Sequence, residues 1–172
     1  MTLEPQNLKE KNGEHPMGDA GQMIGLAVFV VVWLADSFFL QKTTWLAGYF
    51  PLYQRLAVLV ICIGIALYLF RSGHVVVNGD TRPDHVVSTG AFRFVRHPLY
   101  LGSLLLYFGF SFGTGSLACF AWFVILVLFY NYIARYEEKL MVAKVGESYV
   151  DYMKSTNRWF PRIDRSPKEP RR

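Results

Sequence analysis

PLYLGSLLLYFGFSFGTGSLACFAWFVILVLFYNYI, residues 98–133, decides the fold. It holds two apolar runs, 98–112 and 117–133, separated only by Gly113-Thr114-Gly115-Ser116. So short a link makes the runs antiparallel neighbours, a helical hairpin. Pro98 suits the first turn of a helix, where its missing N–H has no intrahelical partner in any case. The first helix of the pair is short for a membrane span. It either begins within the headgroup layer or tilts with neighbours covering it.

Working outward, two more apolar runs precede the hairpin. Met23–Leu40 is interrupted only near its end, by Asp36 and Ser37, and Leu56–Phe70 gains length from Leu52 and Tyr53. About 20 residues of helix cross a bilayer, so residues 22–71 are expected to hold two spans, the second closed by Arg71. Gly64 is placed to allow close helix packing. Asp36 is costly in hydrocarbon and must lie near the interface or face the bundle interior. Between the runs, Lys42, Trp45, Tyr49, Tyr53 and Arg55 form the aromatic and charged mixture that settles at headgroup level. The whole chain of 172 residues is 52% hydrophobic and 16% aromatic, which excludes an ordinary soluble domain. Its net charge of +5 fits an anionic membrane surface, with no nucleic acid and no obligate protein partner implied. Cys62 and Cys119 fall inside apolar runs and read as buried free thiols, with no metal site in view.

The remaining segments are polar. Residues 1–21 read as a mobile head without the apolar stretch of a signal peptide, and 165–172 as a disordered basic tail. Residues 72–164 form the expected catalytic region: an interfacial segment to 97, the hairpin with its exit at 98–135, and an amphipathic helical tail punctuated at Gly146. Lys and Arg concentrate after the second run and after Arg135. The positive-inside rule then places both termini and every polar segment capable of chemistry in the cytosol, of a bacterial inner membrane or an endoplasmic reticulum membrane. The fold class is therefore all-α integral membrane, with about four transmembrane helices, a C-terminal hairpin and a cytosolic amphipathic tail.

Folding the hairpin brings Arg96 and His97, at its start, beside Glu137 and Glu138, just past its end. An arginine, a histidine and two carboxylates there make either a polar pocket or a set of snorkelling interface charges paired in salt bridges.

The run Thr89-Gly90-Ala91-Phe92-Arg93-Phe94-Val95-Arg96-His97-Pro98-Leu99-Tyr100-Leu101-Gly102, then Glu137-Glu138, then Gly146-Glu147-Ser148-Tyr149 with Tyr152 and Pro161, resembles the isoprenylcysteine carboxyl methyltransferase and phospholipid N-methyltransferase superfamily of integral membrane enzymes. The likeness spans residues 86–161. It implies methyl transfer from S-adenosyl-L-methionine to a lipophilic acceptor, an isoprenylcysteine carboxylate or a similar isoprenoid or lipid. Carried over by position, Arg96, His97, Tyr100 and Gly102 would bind the cofactor from one side, Glu137 and Glu138 would close the pocket, and Gly90 would allow a tight turn or close backbone approach. Arg93, outside that core, is the candidate to hold an anionic acceptor group in the catalytic step; its other reading is an interface arginine. Carboxylates suit the cationic and hydroxyl groups of such a cofactor, and a guanidinium or imidazole suits its carboxylate. Three alternatives stay open: an ethanolamine headgroup as acceptor, an NADPH-dependent sterol-type reductase, and a non-enzymatic membrane protein.

Overall fold

A computed structural model of the chain describes residues 18–79 and 86–162. The elements are α1 (Gly18–Leu34), continued by a π-helical turn (Ala35–Leu40), a one-turn α2 (Leu46–Tyr49), α3 (Leu52–Gly79), a 3-10 turn (Gly90–Arg93), α4 (Pro98–Thr114), α5 (Leu117–Val145) and α6 (Glu147–Ser155). The protein is an all-α membrane protein. Among the described residues, Gly18–Leu40, Leu52–His74 and Leu117–Val145 are long and apolar enough to cross a bilayer. Helix α4, at 17 residues or about 26 Å, falls short of the ~30 Å hydrocarbon core. Among the described residues three helices thus have full spanning length, and α4 is the short helix expected from the sequence, packed against α3 and α5.

The hairpin turns as expected. Gly115 closes α4 in the left-handed region at φ 74°, and Ser116 caps α5 by accepting from the Cys119 N–H at 3.2 Å. Two boundaries differ from the hydropathy reading. Helix α1 starts at Gly18, inside the expected mobile head, and α3 runs past Arg71 to Gly79. Helical hydrogen bonding continues past the point where the side chains turn polar, because the helix ends lie beyond the hydrocarbon. The rest of the expected head, the basic tail and the middle of the 72–97 segment (80–85) lie outside the described residues.

Helix α4 packs along α3 on one side and α5 on the other, and α1 packs chiefly on α5. In lipid such contacts rest on close packing rather than on the hydrophobic effect. Gly25 lets Leu126 approach α1, and the Trp122 indole N–H donates to the Gly25 carbonyl at 3.1 Å. Gly64, the glycine singled out from the sequence, faces open space; Gly109, against Cys62, carries the close α3–α4 contact instead. Phe29 and Tyr107, 4.7 Å between ring centroids, sit with Leu126 and Tyr130 in the core. Both cysteines are buried free thiols.

One end of the bundle is tied by Asp36. The π turn leaves its side chain buried and inward, where it accepts from the Thr43 N–H (3.1 Å), the Thr43 hydroxyl (2.6 Å) and the Ser116 hydroxyl (2.5 Å). The Thr43 carbonyl and hydroxyl in turn accept from the first N–H groups of α5. Asp36 thus faces the bundle interior, at one end of the bundle. Asp36→Ala strips three donors of their charged acceptor and is expected to lower stability by at least about 2 kcal/mol, read as a fall in thermal midpoint in detergent.

Candidate functional site

Four helix ends meet at the opposite end of the bundle. Helices α1 and α4 begin there, and α3 and α5 finish there. About 20 residues of helix cover the ~30 Å core, which carries α5 from Leu117 to Glu137 at its far boundary.

Glu138 is buried, 3% exposed, and gathers three cationic or polar partners. Arg96 donates from Nε to Oε1 at 2.9 Å, Arg158 donates from Nε to Oε1 at 2.9 Å and from a second nitrogen to Oε2, and His97 Nε2 lies 3.3 Å from Oε1. Arg96 also donates to the carbonyls of Met153 and Thr156, and its own N–H donates to the Asn157 carbonyl at 3.0 Å. Arg158 reaches Asn131 Oδ1 at 2.9 Å. Residues 153–158 are thereby clasped over the hairpin, with Glu138 at the centre of the clasp. Such a buried carboxylate is tolerable only because guanidinium groups on two sides satisfy both oxygens.

Glu137, one residue earlier, faces a different way. Its Oε1 accepts from the Tyr100 hydroxyl at 2.6 Å, and its Oε2 lies 3.7 Å from His97 Nδ1. It lines a cavity of about 330 Å³ together with Asp19 of α1, Phe70 and His74 of α3, and Tyr100 and Ser103 of α4. That volume lies in the range of small-molecule sites. The rings of His97 and Tyr100 stack at 5.5 Å with 4° between planes, so the histidine braces the tyrosine that braces Glu137.

Five sequence candidates, Arg96, His97, Tyr100, Glu137 and Glu138, are therefore together. Gly102 lies one turn below: a Cβ there would stand 3.0 Å from the Phe70 ring, so the glycine is what lets that ring approach α4. Gly90 adopts φ 57°, the left-handed turn conformation that opens the 3-10 turn. Arg93, at the end of that turn, is exposed and takes no part in the carboxylate cluster. Tyr152 and Tyr149 are buried in α6, where the Tyr152 hydroxyl donates to the Phe92 carbonyl at 2.6 Å and holds the 3-10 turn down. The sequence reading missed Arg158 and Asn131 of the clasp and Asp19 and His74 of the cavity. Asp19 was legible as an acidic residue in the first turn of a helix, had α1 been started at Gly18.

Burial, reinforced by the guanidinium groups of Arg158 and Arg96, pushes the His97 imidazole below its ordinary pKa against the pull of Glu138. It is neutral near pH 7, with Nε2–H donating to Glu138. The unfolded chain takes up a proton near pH 6.5 that the folded protein refuses, so stability is full above that pH and falls as pH drops through about 6.5 toward the lower folded pKa. Thermal midpoints measured from pH 8 to pH 5 are expected to decline over the acid half, with Glu137, Glu138, Arg96 and Arg158 as the charges facing the ring. His97→Gln should flatten that decline; an unchanged slope would assign it elsewhere.

The model of the phospholipid methyltransferase family matches residues 56–148 of the chain, just over half of it. The match takes in α3 as well as the hairpin and the two glutamates, and stops short of Arg158. Among curated proteins none matches the chain.

Proposed function

The chain belongs to the phospholipid methyltransferase family, and from that premise we propose that it moves a methyl group from S-adenosyl-L-methionine to a lipophilic acceptor at the cytosolic boundary of the bilayer. The observation that supports this reading is the cavity at the four helix ends, with two carboxylates, Asp19 and Glu137, and two aromatic rings, Phe70 and Tyr100, in its wall. Carboxylates and π faces suit a sulfonium and an ammonium. Among the described residues lining it there is no Lys or Arg, which suits a cation better than the phosphates of NADPH and counts against the reductase alternative.

When bound, S-adenosyl-L-methionine supplies an electrophilic methyl group on a positively charged sulfur. The protein's part is to hold and to dry the reactants. Tyr100 fixes Glu137 through the 2.6 Å hydrogen bond, so the carboxylate does not reorganise when charge disperses in the transition state. Phe70 and Ser103 close the membrane side of the cavity, and in-line transfer gains chiefly from such alignment and exclusion of water. Arg96, His97 and Glu138 act here as a frame that positions Tyr100 and Glu137. Gly90 sets the 3-10 turn and Gly102 the position of the Phe70 ring, and Arg93, exposed at the end of that turn, is proposed to hold an anionic acceptor group.

The acceptor proposed is an isoprenylcysteine carboxylate or a related isoprenoid or lipid. A second reading, an ethanolamine headgroup amine, is favoured by the family match itself and by the acidic lining. Detergent-purified protein given S-adenosylmethionine with a labelled methyl group, and either N-acetyl-S-farnesylcysteine or phosphatidylethanolamine, is expected to label one of them. Binding of S-adenosylhomocysteine by calorimetry checks the cofactor separately; no binding and no transfer would overturn the proposal.

A further inference from the structure

A second cavity, about 310 Å³, lies directly below the first on the membrane side. Its wall is formed by Leu26, Val30 and Trp33 of α1, Leu106 and Phe110 of α4, and Phe70 of α3. Of the two hydroxyl-bearing residues in that wall, Ser103 donates to the Leu99 carbonyl of its own helix at 3.2 Å and Tyr107 is buried in the core, so the surface offered to a ligand is chiefly hydrocarbon and aromatic ring. From Leu26 to Trp33, or from Ser103 to Phe110, the helix axis advances about 10 Å, which gives the depth of the cleft. It exists because α1 packs on α5 while α3 packs on α4, leaving a gap between the first two spans floored by α4.

Phe70 and Ser103 belong to both cavities. The Phe70 ring is the larger part of the boundary, and its position depends on Gly102, since a Cβ there would stand 3.0 Å from Cε1 and 3.1 Å from Cζ. A ring at the junction of an acidic chamber and an apolar cleft meets a molecule that has one polar reacting end and one hydrocarbon chain.

We infer that the cleft takes a single hydrocarbon chain of the methyl acceptor, and that Phe70, seated on Gly102, is the partition setting how far the reacting end enters the polar chamber. The inference rests on the methyl-transfer reading for what the reacting end does, but not for the binding itself. About 310 Å³ over a depth of about 10 Å leaves a mean cross-section of about 30 Å², room for one extended chain, so a two-chain lipid places its second chain outside, against the bilayer. Because the bilayer is as apolar as the cleft, each added methylene gains by packing against the cleft wall rather than by leaving water, and the gain stops once the chain spans the cleft.

The test uses the full chain in nanodiscs and a zwitterionic single-chain alkyl probe with a diazirine at the chain end, so that no methyl transfer is required. Light-driven labelling is expected on Leu26, Val30 and Phe110, and unlabelled chains of increasing length should compete increasingly well up to a plateau. Labelling spread evenly over the lipid-facing Val31, Val60 and Leu128 would overturn the cleft. Gly102→Ala, which pushes the Phe70 ring, and Phe70→Ala, which removes it, are expected to move the plateau in chain length by one methylene or more. An unmoved plateau in both folded variants would overturn the role of Phe70. Successful labelling with no transfer to any acceptor would leave the cleft standing and remove the proposed function instead.

Discussion

Glu138→Ala is expected to destabilise the protein by about 3–5 kcal/mol, the cost of stranding buried charges when one member of a buried network is removed. Both arginines of the clasp lose their acceptor at once. Arg96 keeps the Met153 and Thr156 carbonyls and Arg158 keeps Asn131, which limits the loss but does not neutralise either charge. Arg158→Ala should cost less, because Arg158 is 21% exposed against 3% for Glu138 and leaves Arg96 to satisfy the carboxylate. The double variant should cost less than the sum of the two, since each single change already breaks the same contact. Thermal melts in detergent, with proteolysis of residues 147–162 as a local readout, check this. If Glu138 instead met a ligand directly, Glu138→Ala would bind S-adenosylhomocysteine poorly while melting like the parent.

Glu137→Gln should behave in the opposite way. The amide keeps the size and accepts from Tyr100, so folding is retained, but the cavity loses one of its two carboxylates. A hydrogen bond to a charged partner contributes about 1.5–3 kcal/mol, so affinity for S-adenosylmethionine is expected to fall by roughly 10- to 150-fold. Tyr100→Phe should show a smaller loss, because Glu137 keeps its charge and loses only the brace. Equal affinity in Glu137→Gln and the parent, measured by calorimetry, would move the cofactor out of this cavity.

The hairpin and the meeting of Arg96 and His97 with Glu137 and Glu138 were legible because both follow from a local turn. Helices doubling back at Gly115 over one membrane thickness return the chain to its starting level some 40 residues on. Nothing comparable announces Arg158. It reaches Glu138 only after the chain has turned at Gly146, run through α6 and left it, and no periodicity reports where such a segment docks. Asp19 and His74 were hidden differently. Hydropathy marks where side chains are apolar, whereas the site is made of the polar turns at which helices α1 and α3 start and finish. Gly64 shows the limit of composition: a small residue in a helix permits close packing but does not say which face a neighbour occupies.

The Asp36 contacts have a mechanical meaning for the chemistry at the far end. They fix α1, the 41–45 link and the start of α5 at one point, with the Gly115 turn of the hairpin beside it, so that point acts as a fulcrum. Asp19, at the other tip of α1, then moves on a lever about 26 Å long. A tilt of only about 3° at the fulcrum displaces that tip by roughly 1.3 Å, a distance that separates a made contact from a lost one. Spin-label distances across the bundle are accordingly expected to be broad near residue 19 and narrow near residue 36, and Asp36→Ala should broaden the second without any change in the residues of the cavity.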